Sequence, residues 1–252
     1  MYKIKMNGTE VTGAEFGDVV EIPEGATKIA SGAFHRCETL IGVTIPSSVK
    51  HIEDEAFYHC SKLTVVTLHT GVKTIGPDAF SGCENLAVIT IPDSVTRIGV
   101  SAFAWCPSLT DIIIPASVTS IGDAAFWGCE KLTDIVIPPG ITSIKGSTFR
   151  DCQSLTTVAI PNSVTSIGDA AFFRCSSLAS ITIPDGVTSI GEWAFSQCAA
   201  LKRINIPSGV TSIGANAFSE CTSLMRIKVP KHFDDEAVDS WGLSCGCKVI
   251  RY

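Results

Sequence analysis

The residues best suited to chemistry in this sequence are its eleven cysteines. Nine of them recur at one constant interval, as Cys37, Cys60, Cys83 and onward to Cys221, and the other two form a Cys-Gly-Cys motif at Cys245 and Cys247. Thiols can form disulfides, bind zinc or act as nucleophiles. The regular interval is therefore the first feature that needs an interpretation.

The nine regularly spaced cysteines, called the cysteine column below, fit none of these chemistries well. On stacked turns they would lie about 4.8 Å apart, which is within the Cα range of a disulfide. Nine is an odd number, however, and each cysteine would have two equivalent neighbours, so no unique pairing is defined. A straight column also lacks the tetrahedral convergence that zinc requires. We expect buried small residues whose S–H groups donate to backbone carbonyls, and eleven free thiols in the denatured chain.

Other catalytic signatures are missing from the sequence. The five histidines include no i, i+4 pair, and there is no G-x-S-x-G motif, phosphate loop or dinucleotide fingerprint. Cys245 and Cys247 are interpreted as packing residues of a terminal cap, with a redox or metal role as the alternative. We predict a protein that is not an enzyme and has no catalytic, cofactor-binding or metal-binding residues. The net charge of −6 also argues against nucleic-acid binding.

The cysteine column belongs to a longer repeat. Nine units of equal length run without insertion over 22–228, and the positions of each unit are numbered here from 1, starting at Ile22. Position 8 is always Ile, position 13 always Phe, position 16 always Cys and position 19 always Leu. Apolar residues at a fixed phase must face one axis, so each unit is expected to form one coil that shares its core with the neighbouring coils.

Within each coil the sequence predicts two short strands joined by turns. Residues 109–114 alternate in character, so that Asp111 and Ile113 are expected to point outward. A second extended piece covers 118–121, and Ala125-Phe126 is expected in a short helical or 3₁₀ turn. Equivalent strands of successive coils should pair in parallel to form a long sheet. The predicted fold class is an α/β solenoid, a right-handed coil or horseshoe with a parallel β-sheet and about nine repeats.

The two ends of the chain depart from the repeat. Residues 1–21 are interpreted as an extended cap with a turn near Asn7-Gly8, and residues 229–252 as a second cap containing a helix and a last strand. Caps are expected because an open sheet end would otherwise be exposed. The three segments 1–21, 22–228 and 229–252 are taken as one continuous domain.

The repeat LxxIxIPxxVxxIGxxAFxxC resembles the BspA-type (Treponema-type) leucine-rich repeat. Nine consecutive copies make the resemblance specific. The departures are few: His69 stands in place of Pro, Glu53 and Lys145 in place of Gly, and Thr148 in place of Ala. These departures affect local turns and leave the leucine-rich-repeat fold unchanged.

The resemblance implies a non-catalytic protein. Members of this family occur on the surfaces of host-associated bacteria and some parasitic protists, where they are linked to adhesion to host proteins, cells or other microbes. An extracellular or cell-surface location is therefore expected. The first residues, MYKIKMNGTEVTG, lack the apolar stretch of a signal peptide, so a cytoplasmic location is the alternative. No run of 18 apolar residues is present, so membrane insertion is not expected.

The outward positions of the longer strand vary between repeats and are candidates for partner binding. At mid-solenoid they include an acidic pair, Asp111 and Asp134, with the apolar neighbours Ile113 and Val136. Nearer the C-terminus they are basic. The basic residues are Lys202, Arg203, Arg226 and Lys228, of which the last three are candidates for partner binding. This pattern favours a ligand-binding face with opposed charges, with neutral variation of solvated positions as the alternative.

A second set of candidates lies in the turn after the repeated phenylalanine. The large aromatic residues there are Tyr58, Trp105, Trp127 and Phe173. Exposed aromatic side chains often mark contact sites, although packing between coils would also explain them.

The sequence as a whole favours a monomeric binding or adhesion module that recognises a protein partner through its surface. Carbohydrate binding and a passive spacer or stalk are the alternatives. No cofactor is expected.

Overall fold

Each repeat except 160–182, which supplies only one, contributes two short strands to the solenoid seen in the computed structural model, which describes residues 3–15 and 18–252. The longer, or main, strands lie around positions 21–23, and the second strands lie at positions 7–8. The main strands are β3 (Val19–Glu21), β5 (Gly42–Ile45), β7 (Val65–Leu68), β9 (Val88–Thr90), β11 (Asp111–Ile113), β13 (Asp134–Val136), β15 (Thr157–Ala159), β18 (Arg203–Asn205) and β20 (Arg226–Val229). The second strands are β4 (Lys28–Ile29), β6 (His51–Ile52), β8 (Thr74–Ile75), β10 (Arg97–Ile98), β12 (Ser120–Ile121), β14 (Ser143–Ile144), β16 (Ser166–Ile167), β17 (Ser189–Ile190) and β19 (Ser212–Ile213).

Strands of successive coils pair in parallel with equivalent repeat positions opposite each other, which confirms the predicted parallel solenoid. Asp111 pairs with Val88 on the main strands, and Ile121 pairs with Ile98 on the second strands. The order is β3-β5-β7-β9-β11, β13-β15 and then β18-β20 along one wall, and β4-β6-β8-β10-β12 followed by β14-β16-β17-β19 along the other.

The single long sheet that the sequence predicted is divided. Among the described residues β11 does not pair with β13, β12 does not pair with β14, and residues 180–182 form no strand between β15 and β18. The first of these interruptions lies between units 91–113 and 114–136, and the second lies between units 114–136 and 137–159. Each wall therefore consists of separate sheets stacked along one axis.

One sequence feature coincides with each of these two interruptions. A Cβ at Gly99 would lie 2.5 Å from the carbonyl carbon of Gly76, so position 9 is a close approach between coils that favours glycine. Lys145 occupies position 9 in the coil that follows the second interruption. On the opposite wall, Asp111 and Asp134 place like charges on neighbouring strands, which destabilises pairing.

The segment between the second strand and the cysteine is a series of turns, so the helical or 3₁₀ turn expected at Ala125-Phe126 is not formed. Positions 11 and 15 adopt left-handed φ angles in every coil, as at Ser101 (φ 51°) and Trp105 (φ 55°). These residues redirect the backbone before a helix can propagate. Their amides donate to the next coil, as from Ser101 N to Asp123 O (2.8 Å).

The core is a stack of identical side chains along the solenoid axis. The nine repeated phenylalanines, from Phe34 to Phe218, are buried and form eight consecutive stacked pairs. Their ring centroids are 4.9 to 5.7 Å apart and their planes lie within 14° of parallel. Such pairs contribute about 0.5–1.5 kcal/mol each beyond the burial of their area. The invariant Leu column is buried beside them, as is the Ile column up to the partly buried Ile213.

At the N-terminal end an antiparallel hairpin precedes the first coil. Strands β1 (Lys3–Asn7) and β2 (Glu10–Glu15) flank the expected turn, where Gly8 has φ +62°. Strand β2 then pairs in parallel with β4. Residues 1, 2, 16 and 17 of the expected N-terminal cap lie outside the described ranges.

At the C-terminal end a helix and a strand cover the last coil. Helix α1 (Asp235–Ser240) begins after Asp234, whose carboxylate accepts a hydrogen bond from Ala237 N (2.8 Å). Trp241 is 1% exposed and packs edge-on against Phe218. Strand β21 (Lys248–Arg251) pairs in parallel with β20. In the described ranges, no helix is long and apolar enough to cross a bilayer.

The last-coil turns bond to this C-terminal structure. Asn216 N donates to Ser240 O (2.8 Å), and Phe218 N donates to Trp241 O (2.9 Å). In earlier coils the same positions donate to the next repeat. The end of α1 therefore takes the place of a tenth coil.

Candidate functional site

The exposed side of the main strands, which we call the main-strand face, consists of positions 20, 21 and 23. Alternation along each strand buries Ile112 and Ile135 in the core and leaves their neighbours outside. Ile113 is 71% exposed and Val136 is 68% exposed. Both are β-branched and rigid, so the apolar surface that they present is held in place by the sheet.

The acidic pair lies beside these apolar residues. Asp111 and Asp134 are exposed at position 21 of neighbouring coils, two residues before Ile113 and Val136. The exposed Val65 and Val88 occupy position 21 in the two preceding main strands. The middle of the main-strand face is thus apolar with two carboxylates.

The carboxylate of Asp134 is held by two hydroxyls. Thr157, in the next coil, donates to Oδ1, and Thr133 donates to Oδ2 at 2.9 Å. These hydrogen bonds, with that of Thr157 the stronger, lower the pKa of Asp134 below its ordinary value. Asp134 therefore remains a fixed negative charge through neutral and mildly acidic pH.

The C-terminal part of the main-strand face is basic. Arg203 and Arg226 are exposed and pair directly in register on β18 and β20, and Lys228 follows on the same face. Lys248 of the cap strand β21 extends this row, since it pairs with Arg226. The structure thus places Lys248 beside the basic residues that the sequence indicated on this face.

The aromatic candidates of the turns form a second surface. Trp105 and Trp127 lie in adjacent coils with ring centroids 5.0 Å apart, and the guanidinium of Arg150 lies 5.3 Å from the Trp127 ring and 4.8 Å from the Phe173 ring. We call these four residues the aromatic turn cluster. Tyr58 is separate from it, two coils before Trp105, and contacts His35 and His59 edge-on.

A buried carboxylate lies beneath the aromatic turn cluster. Trp127 Nε1 donates to Asp151 Oδ2 (3.0 Å), and Arg174 Nη1 lies 3.0 Å from Asp151 Oδ1. Arg150 Nε is 3.4 Å from Oδ2. Trp127 and Arg150 therefore have structural contacts, as the alternative of packing between coils requires, although their outer surfaces remain accessible.

Trp105 differs from its neighbours because it is 47% exposed. Its indole lies over Gly128 of the next coil, where an added Cβ would come within 3.0 Å of the ring. Glycine at this point lets the ring lie close to the backbone. Trp105 is thus partly covered by protein and partly open to solvent.

Apart from the half-buried Cys37, the cysteines of the column are buried, and their environment makes the thiols unreactive. Eight of its members donate from Sγ to the carbonyl of the phenylalanine in the preceding coil, at 3.0 to 3.3 Å. Burial raises the pKa of the Cys60, Cys106 and Cys221 thiols to about 12. A thiol that is neutral and covered is a poor nucleophile and a poor metal ligand. All eleven cysteines are free in the structure.

Within residues 3–15 and 18–252, no three His, Cys, Asp or Glu side chains are grouped so that they could hold a metal ion. The exposed Cys245 and the half-buried Cys247 lie between α1 and β21. Neither position adds a partner that would extend the Cys-Gly-Cys motif into a metal site.

Sequence reasoning missed several residues of these surfaces. Arg150 and Asp151 lack the aromatic character that marks the turn candidates in the sequence, although Arg150 occupies position 14 as Trp127 does. Lys248 was overlooked because the cap brings it into register with Arg226 one position earlier than the repeat would. The exposed Met225, at position 20 beside Arg226, carried no signal beyond its variable position.

The chain is similar to several solved structures. A leucine-rich repeat protein of T. pallidum has 24% identity and a TM-score of 0.59, with 96% of this chain and 93% of that chain covered. A leucine-rich repeat protein of Bacteroides ovatus has 24% identity and a TM-score of 0.48, with 100% and 98% covered. A leucine rich cell surface protein of Faecalibacterium prausnitzii has 26% identity and a TM-score of 0.46, with 100% and 93% covered. No curated protein sequence matches the chain.

A family model accounts for most of the sequence. The model of the BspA type leucine rich repeat region, which spans six copies of the repeat, matches residues 18–133 and 119–238. These two overlapping matches include all nine units described above. The chain therefore belongs to the BspA type leucine-rich repeat family.

Proposed function

We propose that the chain is a non-catalytic module that binds a protein partner on its main-strand face. Leucine-rich-repeat solenoids commonly bind proteins. The observation that carries the proposal is the exposure of Ile113 and Val136 beside Asp111 and Asp134. Apolar surface rimmed by charge on a rigid sheet is typical of an interface, since little ordering is needed when a partner binds.

The test is a binding screen of the intact chain against host and microbial surface proteins and a glycan array. For a protein hit, Ile113→Ser with Val136→Ser should weaken binding at least tenfold, because two exposed apolar contacts are lost. Val100→Ser is the matched control, since Val100 is exposed on a turn away from this face. Equal binding by the unchanged protein, the double variant and the control would overturn the proposal.

An extracellular or cell-surface location suits this function, and the family resemblance supports it. Antibodies against the chain should label intact cells of its source organism without permeabilisation. Labelling only after permeabilisation would favour the cytoplasmic alternative. We also expect a monomer, because both ends of the solenoid carry additional strands; light scattering after gel filtration measures this.

Carbohydrate binding is a second candidate, favoured by the half-exposed indole of Trp105. A half-exposed aromatic ring can stack on the apolar face of a sugar. Trp105→Ala should then abolish a glycan hit, and Trp193→Ala, which removes another exposed indole, should leave it unchanged. Trp127 is unsuitable for this test because it donates to Asp151. A passive spacer predicts no loss of binding for any of these variants.

A further inference from the structure

The basic part of the main-strand face contains an unusually close row of cations. Arg203 pairs in register with Arg226, and Arg226 pairs with Lys248, on the adjacent strands β18, β20 and β21. Neighbouring side chains in the row are about 4.8 Å apart along the solenoid. Lys202 and Lys228 flank the row on the same face. We call these five residues the basic end.

The charges of the basic end are not compensated within the chain. In the part of the chain that the structure describes, none of the five residues forms a salt bridge. Asp134, the nearer acidic residue of the main-strand face, lies three coils from Arg203, which is about 14 Å. That separation exceeds the Debye length of about 8 Å at physiological ionic strength.

This concentration of cations opposes the overall charge of the molecule, which is −6. Like charges directly opposite each other weaken a sheet pair. The arrangement therefore costs folding stability and gains a local positive field, which is the electrostatic requirement for binding an anionic group.

The surface between these cations has the form of two open depressions. One, of about 440 Å³, is lined by Lys202, Arg203, Met225, Arg226 and Lys248, with Ala179 and Ser180 at its edge. The other, of about 520 Å³, lies between the same arginines and Lys228. Both are shallow, so they suit side chains of an extended segment better than an enclosed small molecule.

We propose that the basic end binds an acidic, extended segment of a protein partner, an inference that rests on the proposed protein-binding function. In a polyproline II segment, carboxylates three residues apart lie on the same side and are separated by about 9 Å, which is close to the two intervals, about 10 Å, from Arg203 to Lys248. The guanidinium groups can hold carboxylates in bidentate pairs. Met225, which is 66% exposed, offers an adaptable apolar contact for a side chain between them.

Two observations favour a peptide over a uniform polyanion such as a sulfated polysaccharide. Asp111 and Asp134 lie on the same face, so an anionic polymer that continued along the solenoid would meet repulsion. Met225 and Ala179 provide apolar surface that a polysulfate does not use. A segment with carboxylates at one end and a basic residue three coil spacings further along, or about 14 Å, would satisfy both charged regions.

The test uses fluorescently labelled synthetic peptides and the intact chain, with binding measured by anisotropy. One peptide carries a block of four Glu and two Leu followed by a block of four Lys; a second has the same composition in scrambled order; the third probe is dextran sulfate. We expect the block peptide to bind at least tenfold more tightly than the scrambled peptide. Dextran sulfate should bind more weakly than the block peptide at physiological salt.

Charge reversal locates the site. Arg203→Glu with Arg226→Glu should weaken block-peptide binding at least tenfold, and Arg203→Gln with Arg226→Gln should weaken it less. The matched control is Lys73→Glu with Arg97→Glu, which changes the net charge equally at exposed positions on the other wall and should alter binding less than twofold. Circular dichroism confirms that each variant is folded.

The results separate this inference from the proposed function. Equal binding of block and scrambled peptides, tighter binding of dextran sulfate, or equal loss in the control variant would overturn the acidic-segment site. If a protein hit still depends on Ile113 and Val136 in that case, the proposed function stands without it. If the block peptide binds as expected but substitutions in neither region weaken binding of the protein hits, the peptide site stands and the proposed function fails.

Discussion

At the scale of single residues, the repeat is defined by how closely successive coils approach each other. Position 9 shows this directly, because a Cβ at Gly99 would lie 2.5 Å from backbone atoms of Gly76 and Pro77. The invariant Ile, Phe, Cys and Leu positions show the same constraint inside the core. Their identity in all nine repeats made these columns predictable from the sequence.

The close approach at position 9 predicts a large effect for a single methyl group. Gly99→Ala should lower the free energy of unfolding by about 2–4 kcal/mol, because the coils must separate to admit the Cβ. Gly42→Ala is the control, since its added Cβ would make only ordinary contacts of 3.7 Å with Val19 and Val65. Urea denaturation followed by circular dichroism measures both. A loss as small as that of the control would contradict this account of position 9.

The buried thiols predict instability at alkaline pH. Burial raises their pKa from 9.0 to about 12 at Cys60, Cys106 and Cys221, so the unfolded chain releases protons that the folded chain retains. This stabilisation is complete below pH 9 and is lost as pH rises towards 12. The urea midpoint in reductant should therefore fall between pH 9 and pH 10.5.

The control for the alkaline experiment is a variant with Cys106, Cys129 and Cys152 changed to Ala. It should be less stable than the unchanged protein at pH 8, because buried volume and S–H hydrogen bonds are lost. Its midpoint should fall by a smaller amount between pH 9 and pH 10.5. A midpoint that stays constant over this interval in the unchanged protein would contradict the prediction.

At the scale of elements, the strands were predictable and the turns were not. Period-two alternation indicated that Ile112 is buried and Asp111 exposed. The turn at Ala125-Phe126 was expected to be helical because no sequence signal marks left-handed residues other than glycine, and Ala124 (φ 54°) is one of them. The divided sheets were also missed, since strand propensity does not report which neighbouring coils fail to pair.

The C-terminal cap is the element with the clearest energetic role. Trp241 is buried against Phe218 and Phe233, so Trp241→Ala should destabilise the protein by about 3–5 kcal/mol. Trp193→Ala removes the same side chain from an exposed position and should cost much less. Thermal unfolding of the two variants compares them. Similar melting temperatures would mean that the cap does not close the core.

At the scale of the whole molecule, all repeats have the same length, so a whole repeat can be removed while the side-chain columns of the other coils stay aligned. Deletion of residues 160–182 removes one complete repeat and should leave a folded solenoid with nearly parallel stacking of the remaining phenylalanines. Deletion of 160–179 removes less than a full repeat and shifts every later column, so it should abolish cooperative unfolding. Circular dichroism and urea denaturation distinguish the two proteins. Cooperative folding of both would show that the register does not hold the core together.

The candidate surfaces were predictable only in part at this scale. Variable outward positions indicated Arg203, Arg226 and Lys228, because neighbouring repeats are compared at one position. Lys248 joins the same row through a cap strand that lies one residue nearer in sequence than the repeat interval would place it. Its pairing with Arg226 is therefore visible only in the folded chain. The Trp105 surface likewise depends on Gly128 in another coil.

The amides that link the turns all point the same way, and this gives the solenoid a direction. The last coil presents backbone N–H donors at the C-terminal end of the solenoid, and the carbonyls of Ser240 and Trp241 accept from them. The C-terminal helix can therefore cap that end alone. At the N-terminal end, the carbonyls at the end of this helix would face the carbonyl acceptors of the first coil and could not form hydrogen bonds with them. A version of the protein with additional repeats must therefore have them inserted before residue 229, so that the C-terminal helix still follows the last coil.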